Sequence, residues 1–130
     1  MKNKYSLYKK HIKSLIQFMG KNLNITPYPK IILNNSKQNE YHLLNKTAFY
    51  NPNDNTITVY IYNRWLKDVL RSIAHELIHH YQNLENRLKS DDYQGEEIIN
   101  DNKLLKLEEE AYLKGNILFR KWTEKINNYI

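Results

Sequence analysis

The chain contains no cysteine. That absence excludes a disulfide framework, a thiolate zinc ribbon and a cysteine nucleophile. Any bound metal must therefore be held by His, Asp or Glu. No apolar run approaches the roughly 20 residues that a membrane-spanning helix needs. The basic start Met1-Lys2-Asn3-Lys4 is followed by alternating charged and apolar residues, not by the apolar core of a signal peptide. A cytoplasmic protein without a membrane span is the expectation. Internal repeats and low-complexity linkers are also missing, so residues 1–130 are expected to form a single domain, long enough to build a core without a covalent staple.

What is present is an excess of positive charge, +6 overall. The lysines are scattered along the chain, with no Arg-rich patch and no long basic run. The charge therefore reads as a solvated surface, and a nucleic-acid partner has no motif behind it. The eleven tyrosines read as amphipathic, half-buried side chains rather than a base-stacking platform.

Periodicity predicts an N-terminal helix over Tyr5 to Met19, with Leu7, Tyr8, His11, Ile12, Leu15, Ile16 and Met19 on one stripe and Gly20 as its stop. Ile25 to Pro29 carries two prolines and is expected to be irregular. Lys30 to Leu33 reads as a short strand. A hairpin follows: Lys46 to Tyr50, a turn at Asn51-Pro52-Asn53-Asp54-Asn55, and Thr56 to Tyr62, whose Ile57, Val59 and Ile61 alternate with Thr58, Tyr60 and Tyr62. From about Arg64 to Leu88 the period becomes helical, with an apolar stripe of Leu66, Val69, Leu70, Ile73, Leu77, Tyr81, Leu84 and Leu88. Ser90 to Gly95 reads as a loop. A last helix is expected from about Glu96 to near Asn127, with a break around Gly115.

The helix over Arg64 to Leu88 contains His75-Glu76-Leu77-Ile78-His79. Histidines four residues apart project from one helix face and can approach the same ion. Glu76 lies one step further round, too far to complete their ligand set but able to reach a water on the open side of the metal. Two imidazoles binding zinc and a carboxylate taking a proton from the metal-bound water are the chemistry of an HExxH helix. A five-residue pattern is short, so its context matters. Here it lies on an amphipathic helix, and the residues sharing the histidine face are Asp68, Ser72, Gln82 and Asn86, all polar. The pair thus faces away from the helix's own apolar seam, towards a cleft or another element. His80 falls on the apolar side and reads as a hydrogen-bonded, half-buried histidine rather than a ligand.

A catalytic zinc takes three protein ligands and keeps one position for water. A third histidine in the pattern HExxHxxGxxH is excluded, because Gln82 stands at the glycine position and Glu85 at the final one. The alternative is a glutamate from the last helix, within Leu107-Glu108-Glu109-Glu110-Ala111-Tyr112. Projected at 3.6 residues per turn, Glu108 lies in the middle of a stripe made by Leu104, Leu105, Ala111, Tyr112, Gly115, Phe119 and Trp122. Glu109 lies near its edge and Glu110 points nearly opposite, into solvent. A carboxylate centred on an apolar stripe is costly unless a cation neutralises it. Ala111 and Gly115 are small enough to let the two helices approach closely.

The pair of segments HELIHHYQ and LEEEAYLKG resembles the gluzincin-type metallopeptidases, in particular small ones encoded by phages and bacteria with a minimal zincin domain. The resemblance covers roughly the hairpin through Trp122. It implies an α+β fold: an N-terminal helix, a small sheet with a β-hairpin, the HExxH helix, and a C-terminal helix that supplies a glutamate. In that family the second motif often reads Glu-x-x-Ala/Ser-Asp with the leading Glu as ligand, which again selects Glu108. The sequence departs from it at Tyr112, where many relatives have an Asp that supports a ligand histidine; Asp101, upstream on the same face as Glu108, is the candidate replacement. The resemblance further implies that the strand over Thr56 to Tyr62 lines the cleft and pairs with an extended peptide.

The function expected on these grounds is zinc-dependent peptide hydrolysis, with His75, His79 and Glu108 on the metal and Glu76 as general base. Tyr93, Tyr112 and His42 are the candidates for stabilising the oxyanion. Two other readings are a non-catalytic binding module on a zincin scaffold and an SprT-like protease acting on proteins bound to nucleic acid. An intact Glu76 argues against the first. The missing Cys ribbon, and a glutamate where that group has a third histidine, argue against the second.

Overall fold

A computed structural model describes residues 4–37, 47–88 and 102–127. Along the chain these form α1 (Lys4–Asn22), β1 (Lys30–Asn34), β2 (Ala48–Asn51), β3 (Thr56–Tyr60), α2 (Leu66–Leu84) and α3 (Asn102–Lys125). The class is α+β, three helices with a small mixed sheet, as the patterning implies. No helix among the described residues is long and apolar enough to cross a membrane.

The sheet order is β1-β3-β2, with β3 parallel to β1 and antiparallel to β2. The β2–β3 turn closes through Asn55, whose φ of 57° is a left-handed value that Asn tolerates better than most residues. Ile57, Val59 and Ile61 are fully buried, as their alternation predicts. The expectation that the Thr56–Tyr62 segment pairs with a peptide does not hold. β3 is the central strand, and both of its edges are already bonded within the sheet.

Helix α1 does not stop at Gly20 but runs on to Asn22. The missing side chain there leaves room for Tyr28, whose hydroxyl would lie 3.0 Å from a Cβ at that position. Leu7, placed on the α1 stripe by periodicity, is 42% exposed.

Helix α2 is shorter than its apolar pattern. At its start Arg64 lies outside the helix and ties three elements together. Its guanidinium donates to the Tyr60 carbonyl (2.6 Å), the Thr47 carbonyl (3.1 Å), the Asp68 carboxylate (2.8 Å) and Ser72 Oγ (2.9 Å). At its end Asn86 takes a φ of 60°, and the amides of Asn86 and Arg87 turn back to the carbonyls of Asn83 and Gln82. That pairing is a left-handed helix stop with Asn in the position usually held by Gly.

Helix α3 is unbroken through Gly115. The glycine serves packing instead: a Cβ there would lie 3.2 Å from Cα of His75 and 3.4 Å from its nitrogen. The buried stripe of α3 is rotated from the predicted one. Leu107 and Leu118 are buried, whereas Leu105 and Tyr112 are 47% and 60% exposed. Glu108, partly buried, still lies within that stripe, between Gly115 and Phe119 in projection but off its centre.

His80 is fully buried and hydrogen-bonded, a structural histidine as expected, though more deeply placed. Its Nε2 donates to the Pro27 carbonyl at 2.7 Å. Its Nδ1 then accepts from the Tyr50 hydroxyl at 2.8 Å, and that hydroxyl in turn accepts from Asn83 at 2.9 Å. Burial lowers the His80 pKa and pushes that of Tyr50 up to about 12, so both stay neutral. Removing one buried partner costs the desolvation of those left behind. Tyr50→Phe is expected to lower unfolding free energy by about 1–3 kcal/mol, read from urea denaturation at neutral pH.

Candidate metal centre

Only part of the polar face of α2 meets solvent. Asp68 keeps half of its side chain exposed, whereas α3 covers the C-terminal part, where His79 is 1% exposed and Gln82 is 0% exposed. His75 Nε2 lies 2.5 Å from Oε1 of Glu108, and His79 Nε2 lies 3.2 Å from the same oxygen. One ligand atom from each of His75, His79 and Glu108 lies within 4.8 Å of the others, close enough to hold a metal ion. The i, i+4 spacing aligns the two rings, whose centroids are 5.0 Å apart. The small Ala111 and Gly115 let α3 come near enough for the short glutamate to reach both.

Of the neighbouring glutamates, Glu109 is exposed and Glu110 is engaged in a way that its predicted solvent direction did not anticipate. Glu110 accepts from Gln82 (2.8 Å), Arg87 (2.8 Å) and Lys114 (2.9 Å). Glu76, one step beyond His75, is 7% exposed, and its negative charge helps raise the His79 pKa. The Tyr112 ring lies 4.5 Å from that of His75, so this tyrosine stands at the rim. Tyr93, His42 and Asp101 lie outside the described residues.

The partner that sequence reasoning missed is Gln82. Its Nε2 donates to the Leu107 carbonyl at 2.8 Å and to Glu110 Oε1 at 2.8 Å, two groups that can only accept. The amide is thereby fixed with Oε1 towards His79 Nδ1, at 2.8 Å. His79 must carry a proton on Nδ1, which leaves Nε2 as the nitrogen available to a cation. This is the support that metal-ligating histidines ordinarily have. The signal was present as a polar residue three positions after His79, on the same helix face.

Electrostatics follow this wiring. Burial alone would raise the Glu108 carboxyl, but hydrogen bonds from His75 and His79, and their charge, outweigh it and hold Glu108 well below the usual carboxylate range. Burial alone would lower the His79 pKa; the hydrogen bond to Glu108 and the charges of Glu76 and Glu108 raise it instead. For Glu110, burial is outweighed by Gln82, Lys114 and Arg87, which bring its pKa to about 2.

Compared with known proteins, the chain matches no protein-family model, no curated protein and no solved structure. The site must therefore be read from its own chemistry.

Gln82→Met keeps length but neither accepts from His79 nor donates to Glu110. It is expected to weaken divalent-cation binding by about 10–100-fold, measured by calorimetric titration. Glu110 bears on pH dependence. Its folded pKa of about 2 lies below its ordinary 4.5, so its stabilisation is complete above pH 4.5 and lost as pH falls towards 2. Glu110→Gln should flatten the decline of the urea midpoint within that window relative to the wild-type chain.

Proposed function

We propose that the chain is a zinc-dependent peptidase of the HExxH type, a compact zincin-like domain in which His75, His79 and Glu108 hold zinc and Glu76 is the general base. The observation that carries the reading is the convergence of two imidazole nitrogens on one oxygen of Glu108, across two helices, with the buried Glu76 next to His75 in the chain. The donor set fits: two nitrogens and one carboxylate oxygen make three protein ligands, the number that a catalytic zinc takes while a closed structural site takes four. The Nδ1–H of His79, held by Gln82, supports the same fit.

When bound, zinc supplies a Lewis acid and brings a coordinated water's pKa close to neutrality. Glu76 takes a proton from the attacking water as the oxygen adds to the scissile carbonyl carbon. It returns that proton to the amide nitrogen as the C–N bond breaks, which releases an amine and a carboxylic acid that ionises in water. Burial of Glu76 and His79 keeps bulk water from competing for that proton. In this reading Tyr112, exposed and with its ring 4.5 Å from that of His75, would donate a hydrogen bond to the developing oxyanion. With β3 occupied on both edges, β2 is, among the described residues, the edge strand on the side of Ser72. Thr47, immediately before it, hydrogen-bonds Ser72 of α2 at 3.2 Å.

Elemental analysis of the purified protein should find one zinc per chain. Glu76→Gln should keep that zinc and lower hydrolysis of a quenched-fluorescent peptide library by about 10²–10⁴-fold. Absence of zinc sinks the metal assignment; unchanged hydrolysis in the variant sinks the role of Glu76.

A further inference from the structure

Positive charge is less evenly spread than the scatter of lysines along the chain implies. Residues 1–39 carry eight lysines and no aspartate or glutamate, and the first carboxylate is Glu40. The whole excess charge of the chain thus belongs to the segment that forms α1 and β1.

These two elements leave a groove of about 380 Å³ between them. Its walls are mostly aliphatic, from Ile12 and Ile16 of α1 and Ile31 and Leu33 of β1; the half-exposed Tyr28 and the exposed Lys9 and Lys13 also line it. Among the described residues, no acidic side chain and no residue of α2 or α3 contributes to it, so it is separate from the metal group.

β1 is an edge strand among the described residues. In a parallel pair the N–H and C=O of one residue point to the same side. Lys30 N donates to Asn55 O and Asn34 O accepts from Ile61 N, so residues 30, 32 and 34 face β3. Ile31 and Leu33 therefore direct their backbone groups outwards, and these same residues wall the groove with their side chains. An open ladder edge and an apolar trough coincide on two residues, with two lysines alongside.

We propose that this edge and groove bind an extended acidic peptide, which adds to β1 as a fourth strand. Its alternate apolar side chains enter the groove, and its carboxylates meet Lys9 and Lys13. The backbone edge selects a peptide over a lipid, which cannot satisfy the N–H and C=O of Ile31 and Leu33. The groove walls hold no arginine and one aromatic ring, Tyr28, fewer than the successive stacking surfaces that single-stranded nucleic acid uses. The proposal does not depend on the metal reading.

The test uses the full chain and a short fluorescein-labelled peptide alternating glutamate with valine. Its lysine-for-glutamate counterpart, an oligothymidylate and phosphatidylglycerol vesicles serve as comparison probes. The acidic peptide is expected to bind, more weakly as salt rises, with amide shifts at Ile31 and Leu33 in heteronuclear NMR spectra. The double variant Lys9→Glu, Lys13→Glu changes only exposed side chains and should weaken binding by about tenfold or more. Leu33→Pro, which removes an outward N–H at a sheet edge where proline is tolerated, should weaken it as well. The proposal is overturned by any of four results: no peptide binding, equal binding of the lysine peptide, amide shifts elsewhere than β1 and α1, or binding of vesicles or oligothymidylate in place of the peptide.

Discussion

Helix α3 crosses α2 over the backbone of Ala74 and His75, at a separation that the absent side chain of Gly115 makes possible. Helix axes usually lie 8–10 Å apart, depending on the residues at the contact. Here the contact residues are Gly115 and the fully buried Ala111, one turn earlier. The consequence lies one turn further back, at Glu108. A glutamate side chain is short, and it meets His75 and His79 only because the helix axes have been drawn together. The same crossing fixes which face of α3 is buried, with Leu107 and Leu118 packed inwards and Leu105 and Tyr112 turned out.

Such an approach buries His79 and Gln82 on the polar face of α2, and buried polar groups are costly unless bonded. The chain meets this at both ends of the helix. At the start, Arg64 satisfies carbonyls of Thr47 and Tyr60 and takes up Asp68 and Ser72. At the end, Gln82 and Glu110 link His79 to Arg87 and Lys114. Two of the four polar residues first assigned to the histidine face are therefore tied into the Arg64 latch. A third, Gln82, orients an imidazole. On the opposite side of α2 the same rule holds, where His80, Tyr50 and Asn83 close a neutral network against the loop at Pro27.

Features with a local period were legible in the sequence. The alternation of Ile57, Val59 and Ile61 and the helical stripe of α2 follow from side-chain geometry within one element, and so does the shared face of His75 and His79. Glu108 was selected through a stripe whose phase was slightly wrong. Helix α3 has apolar residues around more than half its circumference, so hydrophobicity alone does not fix its orientation, and Leu105 and Tyr112 were counted as buried in place of Leu107 and Leu118. Glu108 nevertheless lies within either stripe, so the rotation leaves it on the face that meets α2, near His75 and His79. Sheet order was not legible, since which strand lies centrally depends on pairing between β1 and β3 across 25 intervening positions or so, a non-local choice that leaves little local trace. Gln82 and Glu110 were hidden for a related reason: a polar residue on a polar face reads as solvated until the element that covers it is known.

The geometry also links folding to the cation proposed for this group. Its three side chains come from two helices that an unfolded chain does not hold together, so a bound cation would favour the folded state over the unfolded one. A ligand present at a hundred times its dissociation constant adds about 2.7 kcal/mol to stability, a sizeable part of the 5–15 kcal/mol that small domains typically possess. Without the cation, Glu108 relies on the imidazoles for its neutralisation, and the raised pKa of His79 is the electrostatic counterpart of that arrangement. A cation would take over that neutralisation while His79 keeps its proton on Nδ1 through Gln82. The face that requires the closest helix packing is thus also the face where a ligand would return the most stability.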